Sequence, residues 1–205
     1  QKVETYTSAS DYSEAIEQLK NSGNLRASTE NAKVITNEFS LANSDETKTL
    51  AEIKGSNRIY AVEINIPELS ELMKKSGKEA LDRARQILEN VYFRAYWDGE
   101  KKPGVDAEIG ALFASNIFSA YAFDGYAMGL KEDGTLYLYL PMPFKNSAKI
   151  ELYANDNVNI NGSYYIYYDE FNGPWEYTGY FNTQVTTQYP VTEGEFVNIL
   201  NEKGI

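Results

Sequence analysis

From Val91 to Leu200 the chain alternates short β-prone runs with tight-turn signals, and this rhythm constrains the fold more than any other feature. The runs are Val91–Trp97, Thr135–Leu140, Ser147–Ala154, Ser163–Asp169, Tyr177–Thr187 and Glu195–Leu200. Between them stand Asp98-Gly99, Asp133-Gly134, Pro141-Met142-Pro143, Asn161-Gly162 and Gly173-Pro174. Dipeptides of the Asp-Gly and Asn-Gly kind reverse a chain within two residues, which joins antiparallel neighbours and leaves no room for a crossover helix. The predicted fold class is therefore mainly β, an antiparallel β-sandwich or jelly roll.

The first half reads differently. Asp11–Ser22 has the spacing of a short helix, with Tyr12, Ile16 and Leu19 on one stripe and Gly23 after it. Three strands are expected at Lys33–Leu41, Thr47–Lys54 and Arg58–Ile66, the last with Tyr60, Val62, Ile64 and Ile66 on one face. Pro67 then opens a helical insertion running to Asn90, interrupted at Ser76-Gly77 and expected to pack on the outside or edge of the sandwich. Residues 1–46 thus hold a helix and a leading strand, 47–188 a sandwich with an insertion at 67–90, and 189–205 the start of a following half.

Composition removes whole classes of chemistry. With neither His nor Cys, the chain has no Ser-His-Asp or Cys-His triad, no zinc site of the usual kind, no thiol chemistry and no disulfide. A net charge of −11 argues against nucleic acid and anionic membranes as partners. The longest mostly apolar stretch, Ile109–Phe123, is broken by Ser115, Asn116 and Ser119 and is too short for membrane insertion. The chain opens on Gln1, for which a removed signal peptide or an upstream domain are open explanations.

The chemistry left is that of carboxylates and aromatic rings. Glycoside hydrolysis needs only two carboxyl groups about 5–10 Å apart. Asp98/Glu100, Asp124, Asp169/Glu170 and Glu176 are candidates, although acidic residues at turns are most often solvated surface. Asn157–Gly162 has the outline of a calcium loop, but its ligands are neutral and its twelfth position is Tyr168, so no metal is expected. Twelve of the 17 tyrosines lie between Tyr121 and Tyr189, and the run Tyr164–Tyr168 places rings on both faces of a strand. Stacking on a sugar ring is assigned to Trp175, in a loop, with Tyr165, Tyr168 and Tyr177. Trp97 shares a strand face with Val91, Phe93 and Ala95 and is expected in the core.

Several segments together resemble one bacterial family. Phe93–Pro103 contains Trp97-Asp98-Gly99-Glu100 and is similar to the "R-x-Y-x-D-G-E-x-x-P" strand and turn of the family first labelled DUF2961, now glycoside hydrolase family 172. Leu140–Ile150, with Pro141-Met142-Pro143-Phe144, resembles its "Y-F-P-M-P-F-x-K-S-A-x-I" signature. Leu50–Gly55 with Arg58–Tyr60, then Tyr165–Tyr168 and Tyr180–Gln184, resemble further strands in the same order.

The resemblance implies a double jelly roll, a homo-oligomer built on trimers, and retaining, exo-acting hydrolysis of α-D-fructofuranosides or D-arabinofuranosides by two glutamates, with no cofactor. Two departures stand out. Glu108–Ala114 replaces the family's "P-L-G-D-F-F-G" loop, with Ala111 at the aspartate. The glutamate-bearing segments of the second half, resembling "E-G-D-E" and "G-T-E-D-Y-F", do not occur, so no catalytic residue carries over. Asn198–Ile205 resembles the strand that opens that second half. The expectation is the structural and substrate-framing half of a bacterial furanoside hydrolase, secreted or held at the cell surface or in the periplasm. A non-catalytic carbohydrate-binding or assembly module is the alternative.

Overall fold

A computed structural model describes residues 10–24, 32–113, 121–186 and 190–197. Two antiparallel sheets face each other across an apolar core, as the turn rhythm demands. The strands are β1 (Lys33–Leu41), β2 (Thr47–Lys54), β3 (Asn57–Asn65), β4 (Val91–Trp97), β5 (Val105–Glu108), β6 (Phe123–Asp124), β7 (Met128–Leu130), β8 (Thr135–Leu138), β9 (Met142–Phe144), β10 (Ser147–Ala154) and β11 (Ile160–Glu170). The larger sheet runs β1-β11-β3-β8-β7-β6, with β9 continuing the β8 side of β3, and the smaller runs β2-β10-β4-β5.

Period-two patterning decides which side chains meet. On β4, Val91, Phe93, Ala95 and Trp97 are buried while Tyr92, Arg94 and Tyr96 are half-buried on the other face. Trp97 is thus a core residue, its ring near-parallel to that of Phe144 with centroids 6.1 Å apart. On β3 the alternation slips. The register against β11 shifts between Tyr167 and Tyr168, so Val62, Ile64 and Ile66 stay inside while Tyr60 turns to the outer face beside Tyr167, at 6.3 Å between centroids. A bulge therefore corrects the expected common face of Tyr60 and Val62.

The helical insertion connects the two sheets. Helices α2 (Pro67–Met73) and α3 (Lys78–Asn90) carry the chain from β3 in the larger sheet to β4 in the smaller. Their apolar residues Leu69, Leu72, Ala84, Ile87 and Leu88 belong to the core shared by both sheets. The stripe faces that core, which is why it recurs so regularly. Arg83 holds α3 to α2 through both carboxylate oxygens of Glu68, at 2.6 and 2.8 Å. An N-terminal helix, α1 (Ser13–Lys20), buries no residue and leaves Tyr12, Ile16 and Leu19 about half exposed. After β5, one helical turn, α4 (Ile109–Leu112), puts Phe113 edge-on against Phe93 at 6.1 Å. No helix among the described residues is long and apolar enough to cross a membrane.

Four local expectations change. Asn161-Gly162, read as a tight turn, lies inside β11, paired with Ser40 and Phe39. Met142 and Pro143, read as part of a turn, form with Phe144 a short strand paired with Asn57–Ile59. The expected strand Tyr177–Thr187 is, over its described part, an unladdered tail that follows a 3-10 turn at Trp175–Tyr177. Glu195–Val197 is likewise no strand: Glu195 N–H donates to Thr192 O in a turn and Phe196 is fully exposed. The rest of that predicted strand, 198–200, lies outside the described residues.

Candidate functional site: the aspartate-glycine-glutamate turn and its tail

The turn after β4 holds the densest polar contacts of the motif residues. Asp98 and Gly99 both have positive φ, 53° and 80°, and Glu100 N–H donates to Trp97 O at 3.0 Å, closing a mirror-image turn that aspartate and glycine tolerate. This conformation turns the Asp98 carboxylate toward the loop after β9. Its Oδ1 accepts the backbone N–H groups of Lys145, Asn146 and Ser147 at 3.1, 2.6 and 3.0 Å. Its Oδ2 accepts the hydroxyl of Tyr180 at 2.5 Å. The two family-like motifs thus meet through Asp98 on amides and Trp97 on Phe144. Met142, Pro143 and Phe144 are buried and Pro141 is exposed.

Burial pushes the Asp98 carboxyl up, and the Tyr180 hydroxyl with the three amides more than offsets this, holding it below the usual carboxylate range. The same hydrogen bond, reinforced by burial and by the charges of Asp98 and Glu100, pushes the Tyr180 hydroxyl up to about 12. The tail is tied at further points. Trp97 Nε1 donates to Phe181 O at 2.8 Å, Thr183 N–H to Gly104 O at 2.9 Å, and Asp106 N–H to Thr183 Oγ1 at 3.1 Å. Gly104 admits this approach because a Cβ there would lie 2.4 Å from Asn182 Oδ1 and 2.7 Å from the Trp97 ring.

The structure divides the four ring residues assigned to sugar stacking. Trp175 is half-buried, edge-on to Phe171 at 5.1 Å and near-parallel to Tyr180 at 6.2 Å. Tyr180 therefore joins Trp175 and the Asp98 turn, a link that sequence proximity alone could not reveal. Tyr177, beside them in the chain, is 84% exposed. Tyr165 lies on the outer face of the larger sheet with Tyr167, at 6.2 Å, whereas Tyr168 packs against the core from the inner face. A single cluster of all four does not form, because successive strand residues point to opposite faces.

The other carboxylates divide as well. Asp169 is buried and paired with Arg58, whose Nε and Nη2 donate to its two oxygens at 3.1 and 2.6 Å. That pairing raises the guanidinium's pKa further. Glu170 and Glu176 are exposed. Asp124 lies near Gly23, and burial, followed by the Asp124 charge, pushes the Tyr137 hydroxyl up to about 12. Among the described residues, no three acidic side chains converge as a metal site would require. Asn182, inside the family-like segment Tyr180–Gln184 but not singled out as a site residue, completes a pocket of about 260 Å³ with Trp97, Asp98, Glu100 and Tyr180.

Among solved structures, the acidic stable capsid of Helicobacter pylori bacteriophage KHP30 is similar at a TM-score of 0.35 and 9% identity, over 69% of this chain and 89% of that one. No curated protein matches the chain. A family model described as GH172 domain-like matches residues 31–166, which takes in the sandwich from before β1 into β11 and both motifs joined by Asp98. The chain belongs to this GH172 domain-like family of glycoside hydrolases.

Proposed function

We propose that this chain is the structural and substrate-framing half of a hydrolase acting on α-D-fructofuranosides or D-arabinofuranosides. The observation that carries the reading is the engagement of the motif carboxylate. Asp98 accepts four hydrogen bonds that fasten three chain segments, a role that calls for a permanently ionised group. A general acid must instead hold a proton near neutral pH. Asp169 is likewise committed to Arg58. The family's glutamate-bearing segments are missing from the sequence, so the reading places bond cleavage outside this chain and assigns it the framing of sugar with Trp175 and Tyr180. These half-exposed rings also suit the alternative, a carbohydrate-binding module without chemistry of its own. A bacterial secreted or surface location and a trimer-based homo-oligomer belong to the same proposal.

The purified chain is expected to release nothing from aryl α-D-fructofuranosides or D-arabinofuranosides. It is also expected to bind furanose oligosaccharides at millimolar concentration, followed by tryptophan fluorescence and lost in Trp175→Ala. Robust turnover that disappears on replacing Glu100, Asp169 or Glu170 would put the chemistry in this half and overturn the reading.

A further inference from the structure

The turn that clasps the tail leaves one carboxylate over. Glu100 is exposed, its backbone N–H is bound to Trp97 O, and its side chain makes no hydrogen bond or ion pair with the described residues. It lines the 260 Å³ pocket with Trp97, Asp98, Tyr180 and Asn182. That volume is below the roughly 300–1,000 Å³ of sites for drug-sized ligands, and suits one monosaccharide ring.

The polar atoms of this pocket are unevenly committed. Asp98 already accepts four bonds, and the Trp97 indole N–H and the Tyr180 hydroxyl proton are given to Phe181 O and Asp98. Asn182 Nδ2 donates to Tyr180 O at 3.3 Å. What stays open is two Glu100 oxygens, Asn182 Oδ1 and the lone pairs of the Tyr180 hydroxyl, against a single second N–H of Asn182. The open groups are almost all acceptors. The lining also carries two carboxylates and no Lys or Arg, since Lys101, Lys102 and Lys145 are not among its residues.

We infer that Glu100 is the specificity residue of this pocket. It accepts hydrogen bonds from the hydroxyl or ammonium groups of a sugar ring held beside Tyr180, and it excludes sugars bearing carboxylate, phosphate or sulfate. The inference rests on the sugar reading above and deepens it. A ligand anion would meet two negative charges with scarcely a donor to satisfy it, whereas vicinal hydroxyls match a carboxylate's two oxygens.

The test compares a neutral furanose oligosaccharide with an oligouronide of equal length, titrated by calorimetry and tryptophan fluorescence against the full chain, Glu100→Gln and Glu100→Lys. The neutral ligand is expected to bind and the oligouronide to bind at least about tenfold more weakly, the scale of one like-charge contact near a protein surface. Glu100→Gln should weaken the neutral ligand severalfold, and Glu100→Lys should bring the oligouronide into range. Melting curves should be unchanged in both variants, since the Glu100 side chain holds nothing else in place. Equal affinity for the two ligands, or indifference to both substitutions, overturns the inference and leaves the sugar reading standing. Binding of neither ligand by the full chain overturns the sugar reading and the inference with it.

Discussion

Removing the Asp98 carboxylate should loosen the sandwich at one end without touching its core. A hydrogen bond to a charged acceptor contributes about 1.5–3 kcal/mol when sheltered. Here the carboxylate is only partly buried and the donor turn is exposed at Lys145 and Asn146, so water replaces much of each lost bond. About 1 kcal/mol for each of the three amide contacts is a reasonable discount, giving about 3 kcal/mol in all. Alanine at φ 53° adds about 1 kcal/mol of backbone strain, so Asp98→Ala should cost about 4 kcal/mol. Asp98→Asn keeps the turn and one carbonyl oxygen but loses the charge, and should cost about 1–2 kcal/mol.

Urea unfolding reads these values directly: with a slope near 2 kcal/mol/M, Asp98→Ala should lower the midpoint by about 2 M. A double-mutant cycle with Tyr180→Phe should show a coupling of about 1 kcal/mol, because the two side chains share one bond. A cost below about 0.5 kcal/mol for Asp98→Ala, within the range of ordinary surface changes, would refute the clasp. So would strict additivity in the cycle.

Other outcomes follow from the same contacts. Because Asp98 titrates below its ordinary range when folded, its contribution is present above the unfolded value near 3.9 and fades as pH falls through the folded one, so Asp98→Asn should flatten the acid limb of a stability–pH curve. Tyr180 and Tyr137, both pushed up to about 12, contribute fully below about 10 and lose that contribution as pH rises toward 12. Tyr180→Phe should therefore blunt alkaline unfolding monitored by circular dichroism. Arg58→Ala leaves the Asp169 carboxylate buried without its partner and should cost about 3 kcal/mol in a denaturant melt. Phe93→Ala opens a void under α4 and should cost about 3–5 kcal/mol, read as a lowered Tm. Gly104→Ala should push the tail off β5, visible as faster proteolysis beyond Tyr180 and a red-shifted Trp97 emission.

Much of the fold was legible because its punctuation is local. Lys33–Leu41, Thr47–Lys54, Val91–Trp97 and Ser147–Ala154 begin and end where the sequence predicts. The turns beside Trp97 and before Thr135 are set by glycines at positive φ, Gly99 and Gly134, and Gly77 likewise breaks the insertion into two helices. What escaped depends on partners. Val105–Glu108 is four residues long with two charges, and becomes a strand only because β4 offers it an edge. The tail has the opposite character, β-prone but laid over side-chain anchors instead of a ladder. The bulge at Tyr60 inserts a residue that alternation cannot foresee. The site was legible as a motif and opaque as a mechanism. Asp98 meets its amide partners 47–49 positions away and Tyr180 82 positions away, separations that no local pattern encodes.

The placement of β10 and β11 has a consequence for how the chain is made. Each is the inner strand that binds two early strands, β10 between β2 and β4, and β11 between β1 and β3. Lys33 pairs with Tyr168 and Lys54 with Ser147, so the early strands of the sandwich wait for its late ones. Until then β1 and β2 have no ladder, while β4–β5, β7–β8 and the pairing of β3 with β8 and β9 can already form. Closing such long intervals is slow, with folding times toward the millisecond-to-second range of sandwich topologies, about the scale on which a ribosome adds residues. Through this interval β1 and β2 stand as open edges, exposed to aggregation and to chaperone capture.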